Sequence, residues 1–104
     1  MTKTIDCDQL RQLMYYFSAE KVALFLNAKS PRTLIAWLDR VSNEIPSDEQ
    51  VSRLEVVYAQ FNRILQGEGP IQAAAWLTSD NITQLLRDNQ FQQVEDSATR
   101  LMMP

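Results

Sequence analysis

The sequence predicts an all-α fold: a compact helical domain of six or seven short helices containing a helix-turn-helix. Three observations carry this expectation. Apolar residues recur at i, i+3, i+4 and i+7 along most of the chain, and no segment sustains the period of two that marks a strand. Only two glycines and four prolines occur in 104 residues, too few for the tight turns of a sandwich or barrel. Ser, Asn, Gly and Pro stand where helices start and stop. With 45% hydrophobic residues in 12.0 kDa, one domain with its own core is expected.

The elements follow in chain order. Leu10, Leu13, Met14 and Phe17 stack on one face of a helix over about 8–17. Ser18 caps the next, with Glu20 in its first turn, where the helix dipole favours an anion. Val22, Ala23, Phe25 and Leu26 form its apolar face, and Asn27, tolerant of the left-handed conformation, ends it. Ser30 and Pro31 stand at N-cap and N1 of a third helix over about 31–42, with Leu34, Ile35, Leu38 and Val41 at helical spacing.

Ser47 followed by Gln50 makes a capping box at the head of the longest amphipathic run, Val51 to Leu65. Gly67-Glu68-Gly69 stops this fourth helix near 66. Pro70 opens a short helix holding Ala74, Ala75, Trp76 and Leu77, closed by Thr78-Ser79-Asp80-Asn81. Ile82-Leu85-Leu86 and Phe91-Val94-Ala98-Leu101-Met102 are the last two apolar faces. The expected core is Leu13, Phe17, Val22, Leu26, Leu34, Leu38, Leu54, Tyr58, Phe61, Trp76, Leu85 and Val94.

Composition narrows the function. With no histidine and one cysteine, the chain lacks Ser-His-Asp and Cys-His constellations and the usual zinc ligand sets. No catalytic residue, metal or cofactor is expected, and acidic pairs such as Glu95 and Asp96 read as solvated helix faces. Charged residues interrupt every apolar run well short of the ~20 residues of a membrane span. The start at Met1 has no apolar leader, so the expectation is a cytoplasmic protein without membrane contact.

The net charge of −3 is unevenly spread. Residues 1–45 carry six basic and five acidic side chains, and residues 46–104 carry four against eight. An anionic ligand is therefore expected at the first half. There, helices two and three make a helix-turn-helix, an arrangement that sets its second helix in a DNA major groove. Lys29, Ser30, Arg32, Thr33 and Arg40 are the expected DNA-binding residues. Ser30 and nearby backbone N–H groups suit a phosphate, and Arg32 and Thr33 can reach base edges. The same spacing also fits an ordinary helical hairpin with a basic face.

Ser30-Pro31-Arg32-Thr33-Leu34, then Ser47-Asp48-Glu49-Gln50-Val51-Ser52-Arg53-Leu54, then Ala73-Ala74-Ala75-Trp76-Leu77 occur in this order. In that order and at those separations they resemble the Xre/MbcA/ParS antitoxin family over about 18–102. The resemblance implies a helix-turn-helix region, here residues 8–45. It also implies a C-terminal helical region, here 46–104, that covers a protein toxin, commonly of the RES-domain type. After Leu77 the chain lacks the glycine and proline usual in the family, and the turn before Ser30 is one residue longer than the common pattern.

The expected function is a homodimeric, DNA-binding transcriptional regulator of antitoxin type that also binds a protein partner. Paired half-sites compensate for one short recognition helix. The expected partner surface is Val57, Tyr58, Phe61, Trp76 and Leu77. The competing expectation is a phage or mobile-element protein that does not bind DNA. Such a protein would inhibit another protein through its acidic helical surface.

Overall fold

The computed structural model describes residues 5–39 and 45–103. Among them the secondary structure is entirely helical. The elements are α1 (Cys7–Tyr16), α2 (Ala19–Leu26), α3 (Pro31–Asp39), α4 (Asp48–Glu68), α5 (Pro70–Leu77), α6 (Asp80–Arg87) and α7 (Phe91–Met102). The all-α expectation holds, with seven helices among the described residues. The chain falls into two compact units, residues 1–55 and 56–104, and α4 begins in the first and continues into the second.

In the first unit α1 packs on α2 and α2 on α3. The Asp6 carboxylate caps α1, accepting from the N–H groups of Asp8 at 3.0 Å and Gln9 at 3.2 Å. Ser18 caps α2 by accepting from the Lys21 N–H. Leu10, Leu13, Val22, Leu26 and Leu34 are fully enclosed, and Phe17 meets Phe25 edge-to-face at 5.2 Å. Offset perpendicular contacts of this kind are the favoured geometry for ring quadrupoles. Trp37 is buried here as well.

The capping box forms as the sequence predicts. The Ser47 hydroxyl accepts from the Gln50 N–H at 3.1 Å, and the Gln50 side-chain oxygen accepts from the Ser47 N–H at 2.9 Å. The Gln50 amide nitrogen also donates to the Asn27 carbonyl at 2.9 Å, tying the start of α4 to the turn between α2 and α3.

In the second unit α5 packs on α6 and α6 on α7. Phe61, Ile64, Leu77, Ile82, Leu86 and Val94 are buried. Trp76 donates its indole N–H to the Ser97 hydroxyl at 3.2 Å, satisfying the one polar atom of an otherwise enclosed ring. Ser79 does two jobs, accepting from the Ile82 N–H to cap α6 and donating to the Trp76 carbonyl at 2.7 Å to close α5.

Several expectations shift by one position. Leu38, Tyr58 and Leu85 are half-buried, and their neighbours Trp37, Val57 and Leu86 take the interior places. The larger apolar area of the Trp37 ring sets how α3 is rotated, and Tyr58 keeps a hydroxyl that is costly to enclose. Ile35 accordingly turns outward. Helix α4 runs past Gly67 and ends at Glu68, because only Gly69, at φ +92°, leaves helical geometry. The predicted end of the third helix, with Arg40 and Val41, lies outside the described residues.

Candidate nucleic-acid interface

The geometry of the α2–α3 hairpin starts from one asparagine. Asn27 sits at φ 57°, ψ 37°, in the left-handed region. Its N–H bonds to the Leu24 carbonyl, and the Ala28 N–H reaches back to the Ala23 carbonyl at 2.8 Å. These two bonds make a Schellman motif, which satisfies the last carbonyls of α2 and reverses the chain. Asn89, at φ 58°, ends α6 in the same way, with bonds from Asn89 to Leu86 and from Gln90 to Leu85.

After the turn, Lys29 is exposed, Ser30 is half-buried, and Pro31 starts α3. The Thr33 N–H bonds to the Ser30 carbonyl at 3.1 Å, tightening the first turn. Leu34 and Trp37 face inward, which leaves Arg32, Ile35 and Asp39 exposed at i, i+3 and i+7. Thr33 and Ala36 are half-buried on the flanks. Lys21, on α2, is exposed. Of the five residues predicted for DNA contact, Lys29 and Arg32 are open to solvent, Ser30 and Thr33 are partly so, and Arg40 lies outside the described residues.

Two residues on this hairpin were not part of the predicted set. Lys21 was readable as an exposed cation from the polar side of α2. Ile35 stands at helical spacing with Leu34 and Leu38 in the sequence but is exposed in the structure.

The chain matches no protein-family model, no curated protein and no solved structure. Its chemistry therefore rests on these residues. The described residues hold no group of three or more His, Cys, Asp or Glu able to take a metal ion. No helix among them is long and apolar enough to cross a membrane.

The predicted partner surface needs correction. Val57, Phe61, Trp76 and Leu77 are buried and only Tyr58 is partly accessible, so these five cannot together meet another protein in this conformation. They form core because a short helical unit must enclose its largest apolar groups to offset chain entropy. The large apolar side chains more than half open to solvent lie elsewhere: Tyr15 on α1, Leu24 on α2, Ile35 on α3, Ile45 before α4, Ile71 on α5 and Met103 after α7.

Proposed function

We propose that the chain is a transcriptional regulator of antitoxin type that binds duplex DNA through α3 and acts in the cytoplasm. The observation that supports this best is the Asn27 turn, which leaves Lys29 and Arg32 exposed at the leading end of α3. Lys29 and Lys21 have the compact charge that suits phosphate, and Arg32 has the planar donor fork that suits guanine O6 and N7. Asp39, exposed at the other end of the described helix, repels phosphate there, so the helix enters a groove by its N-terminal end.

One nine-residue helix offers little interface, so the proposal includes a homodimer on paired half-sites. The resemblance to Xre/MbcA/ParS antitoxins extends the proposal to neutralisation of a protein toxin of the RES-domain type. A second reading, a protein-binding module without DNA affinity, is favoured by the charge of the second unit. Residues 56–104 carry five acidic side chains against three arginines.

Fluorescence anisotropy with labelled duplex DNA across a salt series decides between the two. For a DNA reader, log K falls linearly with log salt, and Lys29→Ala lowers the slope by about 1. Arg32→Ala costs about 1–3 kcal/mol and relaxes preference at one base pair. Binding that is absent at low salt, or indifferent to salt and to both substitutions, rejects DNA recognition.

A further inference from the structure

Ile35 is 58% exposed at the middle of the outward side of α3. Arg32 lies one turn before it and Asp39 one turn after, and half-buried Pro31, Ala36 and Leu38 flank it along the helix. An aliphatic side chain here contributes little to the fold, because its neighbours Leu34 and Trp37 have taken the interior. It sits instead between the guanidinium that would read a base edge and a carboxylate that repels the backbone.

We infer that Ile35 is a specificity residue that packs on the 5-methyl group of a thymine in the major groove, beside the base pair met by Arg32. This rests on the DNA-binding reading above. The occupant follows from position and charge. Lys29 and Arg32 bring the helix to a polyanion, and the apolar feature that base edges present in the major groove is the thymine methyl. Along α3 the two residues are about 4.5 Å apart in rise, and stacked base pairs are about 3.4 Å apart. The thymine therefore stands one or two base pairs from the guanine in each half-site. Ile35 leaves the salt dependence to the lysines and sets which sequence is preferred.

The test begins with duplexes selected by the full chain from a randomised 24-base-pair pool. Each thymine of the selected sequence is then replaced singly by deoxyuridine, which removes the methyl and keeps every hydrogen-bonding group. One replacement per half-site, next to the guanine lost as a preference in Arg32→Ala, should weaken binding about three- to five-fold, as expected for one buried methyl. Ile35→Ala should lose a similar factor on the thymine duplex and be indifferent to the deoxyuridine change. Ile35→Gln should move the preference at that position toward adenine. A selected sequence whose every thymine can be replaced without loss overturns the role of Ile35 and leaves DNA recognition standing. A pool that yields no preferred sequence overturns both.

Discussion

Asn27→Ala tests whether the α2–α3 turn depends on a left-handed residue, and its cost can be worked from the backbone. At φ 57° a Cβ-bearing residue other than Asn or Asp pays roughly 1–2 kcal/mol for crowding its own carbonyl, and asparagine avoids part of this. The Schellman bonds and the Gln50 bond all use Asn27 and Ala28 main-chain atoms, so they survive the substitution and hold the strained geometry in place. Alanine should therefore destabilise by about 1 kcal/mol, and glycine should match or exceed the wild type. In thermal unfolding followed by circular dichroism this is a fall of about 4–8 °C for a chain of this size. Asn89→Ala, at the equivalent turn of the second unit, should lower stability at least as much and leave DNA affinity unchanged. Because the Schellman and Gln50 bonds keep the turn that sets α3 in place, Asn27→Ala should leave DNA affinity close to wild type as well. An alanine variant as stable as wild type would show that the turn is not held in the left-handed region.

The two glycines should respond with opposite signs. Gly67 is helical and a new Cβ would meet only the terminal methyl of Met102, which can swing away, so Gly67→Ala should stabilise by about 0.5–1 kcal/mol in urea unfolding. Gly69 has open space but φ +92°, so Gly69→Ala should destabilise by about 1–3 kcal/mol. Ser97→Ala removes the acceptor of the Trp76 indole and should cost about 1–2 kcal/mol, measured in the same way. Trp37→Ala should be the more damaging member of a pair with Leu38→Ala, at about 3–5 kcal/mol, and equal losses would contradict the rotation of α3 described above.

What the sequence made legible was mostly local. Ser18, Asn27 and the Ser47–Gln50 box act within four residues of themselves, so their roles can be read without knowing the fold. Asp6 and Ser79 act just as locally but stand inside polar runs that offer several candidates for the same position. The exact buried side of a helix was harder. On α3, Trp37, Leu34, Leu38 and Ile35 lie in that order across an apolar arc of about 160°, and a modest rotation of the helix decides whether its Ile35 edge or its Trp37 edge is enclosed. Only the partner helices decide such a choice. The exposed cations were legible because Lys and Arg are rarely enclosed. The partner surface was not, because large apolar residues serve a core and an interface equally well until the fold shows which are covered.

The chain has two tryptophans, Trp37 buried among residues 1–55 and Trp76 buried among 56–104. Each unit thus contains its own fluorophore. Trp37→Phe and Trp76→Phe make two single-emitter proteins whose denaturation curves report the units separately, and superimposable curves would identify one cooperative transition. Because a ligand stabilises the folded form it binds, DNA on α3 should raise the midpoint seen by Trp37 first. A protein seated on α5 to α7 should do the same for Trp76. The same pair of variants therefore locates any bound partner on the chain from a cuvette measurement, before a complex structure exists.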